Sequence, residues 1–421
     1  MGRFKRLQSV ADQRPERLAL VFGLLTGVLG VVLAAVEFAE GQEIDYQAYY
    51  FAGRAVVKGE PFVGWAITDG SFLTEKAYVY TPVTAPVFSV YGALPRWQFG
   101  YVLNVVLLMV VFYLIGRLVL TFLDRHGVEL ERVDRLLILG FSVFSGHSIL
   151  GIYRGNVDPI VLLALGVGLL AIERGEGWKG GTLWAATAHF KLFPAFLGVW
   201  LLYRRAYRAI AAAVVTGLGL IALGVVFFGI DAHIDFVEFI VNERSREGYF
   251  AGGLDPEIQW ITLRRPLSQF VSLSGNQLFV VTTALVAPFV YRVYRHANSE
   301  LDRTVAFFAT MVAMLITIVP STLNYVVYLY FPLLGLVYMT EDPTAKRLFI
   351  AGLILVNLPL YPQHIDLIVG ALPLGVVGDA VTTGARAVLT YTSIPLVGFL
   401  CILAGCIRFV QVPNVTERPA E

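Results

Sequence analysis

Long apolar runs, separated by short charged or Pro/Gly-containing turns, recur from residue 18 almost to the C-terminus. Crossing about 30 Å of hydrocarbon takes roughly 20 apolar residues in a helix, in which every backbone group finds an internal partner. The first run, 18–38, follows the basic segment MGRFKRLQSVADQRPER and ends in EFAEGQE. It is longer than the apolar region of a signal peptide and lacks a small-residue cleavage site, so it is expected to stay as a span. Further runs lie at 99–123, 136–152, 160–172 and 181–191, then from 194 to the basic turn YRRAYR, and at 209–230. Two hairpins and a last run at 393–409 complete the series. The pattern predicts an all-α integral membrane protein, a polytopic helical bundle of about eleven or twelve spans, forming one domain over 1–421.

A basic N-terminus on the cytoplasmic side sets the orientation. Residues 1–17 and the tail 410–421 are then cytoplasmic, and 39–97 and 231–269 are the two long outer loops. In the first loop, Tyr46, Tyr49, Tyr50, Gly53 and Val56 recur at helical spacing, with Gln47, Arg54 and Lys58 on the other side. That spacing predicts an interfacial amphipathic helix with tyrosines at headgroup level. The next stretch, YVYTPVTAPVFSVYGALP, is apolar but broken by Pro82 and Pro86, which favours a second surface-lying or re-entrant segment. YRRAYR, RVYRH and AKR fall inside, as the positive-inside rule expects. Arg54, Lys58, Arg154, Lys191, Arg244, Arg246, Arg264 and Arg265 fall outside, against the rule. An anionic ligand on the outer face would account for them.

Composition narrows the classes. The chain is 57% hydrophobic and 15% charged, whereas soluble domains carry roughly 25% charged residues. A net charge of +1 with no basic tail argues against a nucleic-acid partner. Cys401 and Cys406, five apart in the last apolar run, do not share a helix face, so neither a disulfide nor a metal site is expected. No DxD run, P-loop or zinc-type spacing occurs, which leaves no metal and no cofactor to expect.

Four groups converge on the outer face in this topology. Asp45 is a carboxylate just beyond the first span, placed to cap a helix, to act on a membrane-bound substrate, or both. In RGNVDP, Asp158 and Pro159 fit a helix start, while Arg154 and Asn156 beside a helix N-terminus suit an anion or sugar hydroxyls. In HFKLFP, Lys191 sits between apolar residues ahead of Pro194, where it either snorkels to the surface or contacts phosphate. In the second loop, Arg264 and Arg265 of LRRP suit phosphate, and Trp260 suits a sugar face or the interface; a solvated charged loop is the equal alternative. His189 and His147 fit hydrogen-bonded interior positions better than catalytic ones.

The order of DYQAYYFAGRAVVKGEP, YVYTPVTAPVF, RGNVDPIVLLALGVGLLAI and GGTLWAATAHFKLFPAFLGVWLLYRR after a first span resembles glycosyltransferase family 87 over roughly 18–208. These are multi-span enzymes of the GT-C fold that include mannosyltransferases. The resemblance implies Asp45 as general base, Tyr80 and Pro82 as the aromatic–proline segment, Asn156 in the amide-containing motif and Lys191 in the Lys-aliphatic-Pro motif. A histidine is common near the outer end of a late span in such families; PSTLNYVVYLYFP offers Asn324 and Tyr325 there. The implied function is inverting, mannosyltransferase-like sugar transfer at the plasma membrane. The donor would be a polyprenyl-phosphate-linked sugar and the acceptor a lipid or glycan. Arg154, Lys191, Arg264 and Arg265 would hold the donor phosphate, and Tyr80, Asn156, Asp158, Asn324 and Tyr325 the substrates. A polytopic transporter or lipid flippase with an anion-binding outer site is the alternative, but it would usually show two matching halves with broken helices.

Overall fold

The computed structural model describes residues 14–39, 44–63, 77–243, 247–317 and 322–412. Parts of the expected loops and ends lie outside these: 1–13 of the N-terminus, 40–43 and 64–76 of the first loop, 244–246 of the second with Arg244 and Arg246, and 413–421 of the tail. Among the described residues the fold is helical throughout, without a β-strand. Six helices are long and apolar enough to cross a membrane: Pro15–Ala39, Trp97–Arg125, Arg132–Arg154, Tyr207–Phe228, Gly275–Arg295 and Ile394–Gln411. The protein is a multi-pass membrane protein.

The hydropathy pattern counted more crossings than this because several of its apolar runs form shorter helices. Asp158–Glu173 has 16 residues and Gly177–Phe190 has 14, each about 1.5 Å per residue and so well short of a full bilayer. Glu300–Thr317 is long enough but carries Glu300, Asp302 and Arg303 in its first turn. Proline and 3-10 turns divide the others, as at Phe193–Leu197 and Leu323–Leu329.

The chain divides into two compact units. One comprises Gly27–Leu118 and Ser142–Ser245. Its helices Asp158–Glu173, Gly177–Phe190 and Tyr207–Phe228 pack in sequence order. Small residues bring the axes together, and the Trp184 indole N–H donates to the Leu165 carbonyl at 3.0 Å. Arg204, in the turn before Tyr207–Phe228, pairs with the buried carboxylate of Glu173 at 3.3 Å. The outward surface of Tyr207–Phe228 stays uncovered, with Val215 and Val226 more than 70% exposed, as a lipid-facing helix requires.

The second unit comprises Met1–Thr26, Val119–Phe141 and Arg246–Glu421. At one end, the fully buried Asp134 accepts hydrogen bonds from Arg17 at 2.7 and 2.8 Å and from Arg14 at 3.1 Å. Tyr338 donates to the same carboxylate at 3.3 Å. A buried carboxylate is tolerable only when its oxygens are satisfied in this way. Helix Pro343–Val356 lies along Ile394–Gln411, and their shared end is tied by Asp342 to Arg408 at 3.1 Å.

Candidate functional site

The predicted helix in the first loop forms as Asp45–Lys58. Its tyrosines face protein, not lipid headgroups: Tyr46, Tyr49 and Tyr50 are buried among Tyr80, Phe88 and Tyr153. Gln47, expected on the polar side, is buried as well, and its carbonyl oxygen accepts from the Ile44 amide at 3.1 Å. The Pro-broken segment forms the 3-10 helix Pro82–Phe88 and packs on this helix at backbone contact. A Cβ at Gly53 would meet the Phe88 carbonyl oxygen at 2.1 Å, and one at Gly92 the Arg54 amide nitrogen at 2.1 Å.

Asp45 is the first residue of its helix, and Ile44 occupies the capping position. Its half-buried carboxylate accepts instead from the Asn156 amide at 2.8 Å. The chain is bent to permit this. Helix Gly146–Arg154 ends at Gly155, whose φ of +66° lies in the left-handed region. The Gly155 amide donates to Ile152 and the Asn156 amide to Gly151, closing the helix end. Any side chain at Gly155 would lie 2.6 Å from Cβ of Tyr46, the residue after Asp45. Arg154 ends that helix two residues before Asn156 and remains half-exposed.

Asp158 does not cap its own helix either. Asp158 is the first helical residue, with Pro159 next, and the Asn156 side-chain oxygen accepts the Asp158 amide at 3.1 Å. Both ends of the Asn156 side chain are therefore used, one on the helix start and one on Asp45. Freed from capping, the Asp158 carboxylate pairs with Lys191 at 3.2 Å, with side chains only 2% and 12% exposed. Lys191 follows helix Gly177–Phe190, and the chain turns there into Phe193–Leu197, which begins around Pro194.

The Lys191 ammonium also stands over the Tyr80 ring, 5.7 Å from its centre. The Tyr80 and Tyr49 hydroxyls meet at 2.6 Å. Burial, joined by the charge of Asp45, pushes the Tyr49 hydroxyl well above the usual tyrosine range. Burial does the same to Tyr80, against the pull of Lys191. Both stay neutral donors at ordinary pH. Thr81 then ties this strip to the helix end, its amide donating to the His189 carbonyl at 3.2 Å and its hydroxyl meeting His189 Nδ1 at 3.0 Å. His189 is thus a hydrogen-bonded interior residue, as expected.

Five of the predicted residues, Asp45, Asn156, Asp158, Lys191 and Tyr80, come together in one unit through these contacts. Tyr49 joins them without having been singled out; its position one helical turn after Asp45 was the available signal. Beside them an apolar cavity of about 410 Å³ is lined by Val31, Val102, Val105, Ile149 and Tyr153. Tyr101 borders it, donating to the Tyr153 carbonyl at 2.7 Å and packing on Tyr46 at 5.6 Å.

Of the other five, Arg154 lies in this same unit, and Arg264, Arg265, Asn324 and Tyr325 belong to the second. Arg264 donates twice to the Thr317 carbonyl, at 3.1 and 2.8 Å. Arg265 is fully buried and donates to the carbonyls of Asp255, Leu389 and Ile258. Burial pulls the Arg264 guanidinium down to about 10. Both arginines thus act as braces on backbone carbonyls within their unit, which a loop sequence does not reveal. Asn324 is buried, with its side-chain oxygen unpaired among the described residues, and Tyr325 stacks on Tyr328 at 6.0 Å.

The family model of glycosyltransferase family 87 matches residues 78–322, more than half of the chain. The matched stretch contains Tyr80, Asn156, Asp158 and Lys191 and begins after Asp45. It extends past residue 208, beyond the stretch whose motifs carry the resemblance in sequence. No curated protein and no solved structure matches the chain.

Proposed function

The chain belongs to glycosyltransferase family 87, and we propose that it moves a sugar from a polyprenyl-phosphate-linked donor to a lipid or glycan acceptor, with Asp45 as the general base. The observation that carries this reading is the Asp45–Asn156–Asp158–Lys191 chain of contacts, which sets a half-exposed carboxylate and a cation on one scaffold.

The chemistry asks for those two charges. An acceptor hydroxyl is a weak nucleophile, and a carboxylate that takes its proton during attack makes it a better one. The acceptor oxygen bonds to the anomeric carbon as the bond from that carbon to the phosphate oxygen breaks, so configuration inverts. The electron pair leaves with the lipid phosphate. Lys191, with Arg154 as a second cation, offsets the charge that grows there. Asp158 holds Lys191 in place and keeps the buried ammonium paired before the donor arrives.

Two further features support a lipid-linked donor. The apolar cavity bordered by Tyr101 and Tyr153 suits an isoprenoid chain. The neutral Tyr49 and Tyr80 hydroxyls suit sugar hydroxyls or phosphate oxygens. In this reading the site faces the outer side of the plasma membrane, and the sugar is mannose-like. Asn156 supports Asp45 instead of contacting the sugar.

The test is an assay on the full chain in lipid nanodiscs with radiolabelled polyprenyl-phosphate sugars. Transfer from a polyprenyl-phosphate hexose, lost in Asp45→Asn, is the expected result. Transfer that survives Asp45→Asn, or that requires a nucleotide sugar, would overturn the reading.

A further inference from the structure

Between helix Pro343–Val356 and the span Ile394–Gln411 lie two shorter helices, Pro362–Gly370 and Val376–Tyr391, packed on each other. Their exposed surface is unusually apolar. Val376 is 84% exposed, Leu367 75%, Val377 63% and Val388 62%, with Ile368, Leu372 and Val381 also open. Val377, Val381 and Val388 follow one another by four and seven residues and so form a single stripe along the second helix.

The opposite side of the pair is polar. Asp379 and Arg386, seven apart, share the other face, and Arg386 pairs with Glu257 at 3.0 Å and with Asp366. Leu389 turns inward, its carbonyl accepting from the buried Arg265 at 3.4 Å. The helix is thus pinned by its polar and inward faces while its apolar face is uncovered among the described residues.

Chain continuity says what lies against that face. Tyr391 ends the second helix, and Ile394 begins a span three residues later. Three residues reach at most about 10 Å, so the end of this helix stands at the bilayer boundary. The Tyr391 ring stacks on Phe270, itself 72% exposed, at 5.3 Å. Tyrosine rings favour the headgroup level. With 16 residues and charges at Asp379 and Arg386, the helix is too short and too polar to cross, which leaves the interface plane.

We propose that this helix pair is a monotopic element lying in the bilayer surface on the side where Ile394–Gln411 begins. The Val377–Val381–Val388 stripe and the turn at 371–375 are buried at the boundary of headgroups and acyl chains. Its partner is the lipid itself, and the assignment stands whether or not the proposed sugar transfer does.

The test uses the full chain in phospholipid nanodiscs, with Cys401→Ala and Cys406→Ala as background and one nitroxide-labelled cysteine at a time. Val381→Cys and Val388→Cys report the stripe; Asp379→Cys and Thr382→Cys report the polar face. Collisions with oxygen should exceed those with a water-soluble nickel chelate at 381 and 388, and the order should reverse at 379 and 382. Val376→Cys, at the most exposed position, gives the same reading if a mid-helix label disturbs folding. Equal nickel access on both faces would overturn the proposal. So would shielding of 381 and 388 from both reagents with spin–spin broadening, which would mean that a second copy of the chain covers the stripe.

Discussion

The Asn156 amide donates to the Asp45 carboxylate at 2.8 Å across 111 residues of sequence, while its own oxygen accepts the Asp158 amide at 3.1 Å. With both ends engaged, Asn156 can turn toward a sugar only by releasing a helix start. The relationship makes it a residue that positions the proposed base.

Asp45→Asn should lower transfer by roughly 10²–10⁴-fold, the usual contribution of a general base, with membrane insertion unchanged. Asn156→Ala should lower kcat by about tenfold or more and leave KM for donor and acceptor close to wild type, the pattern of a lost transition-state contribution. Combined with Asp45→Asn, it should add almost nothing, because coupled residues are not additive. Initial-rate kinetics on the single and double variants check this. A raised KM with unchanged kcat would return Asn156 to substrate binding.

The sequence made the helices and the membrane legible because a long apolar run reports a possible crossing whether its side chains face protein or lipid. It placed a helix at Asp45 and a turn at Lys191, since Pro194 leaves few alternatives. It could not show the direction of the tyrosines: Tyr46, Tyr49 and Tyr50 fit a headgroup layer and an aromatic core equally by spacing. Capping was misjudged for a related reason. Asp45 and Asp158 both precede helices as good caps do, yet each is taken up by a partner remote in sequence, Asn156 and Lys191. Arg264 and Arg265 looked like phosphate ligands because a loop sequence does not show which carbonyls will lie within reach.

Lys191→Met should both destabilise and disable the protein. It leaves the Asp158 carboxylate, 2% exposed, without its cation, a loss of about 3–5 kcal/mol for a buried pair. Lys191→Met with Asp158→Asn removes both charges and should recover most of the melting temperature but not the activity. Thermal unfolding in nanodiscs beside turnover separates the two effects. Recovery of turnover in the double variant would take Lys191 out of the donor site.

Asp342 gives a pH dependence with a definite sign. Hydrogen bonds from Arg408 and the Ala345 amide hold its carboxyl below the usual carboxylate value. A group depressed in the folded state stabilises above its unfolded value, and that stability is lost as pH falls through the folded one. Melting temperature should therefore drop below about pH 4, and Asp342→Asn should be less stable at pH 7 with a shallower acid decline. Melts from pH 7 to pH 3 check it; an unchanged acid slope in the variant would count against the assignment.

Gly155 and Gly59 separate backbone strain from the geometry of the site. Both end helices with positive φ, +66° and +72°, so alanine costs each about 1–2 kcal/mol of left-handed strain. At Gly59 an added Cβ meets nothing within 4 Å, whereas at Gly155 it meets Tyr46 Cβ at 2.6 Å and Asn104 Nδ2 at 2.9 Å. Relief of that clash has to move either the start of the Asp45 helix or the turn that carries Asn156, and both moves lengthen the 2.8 Å contact. Gly59→Ala should thus lower the melting temperature modestly and keep turnover near wild type. Gly155→Ala should lower both, with kcat reduced at least tenfold for a displacement near 1 Å. Parallel melting and kinetic measurements decide the matter: equal losses of turnover in the two variants would show that helix-end strain, not the Asp45–Asn156 contact, governs activity.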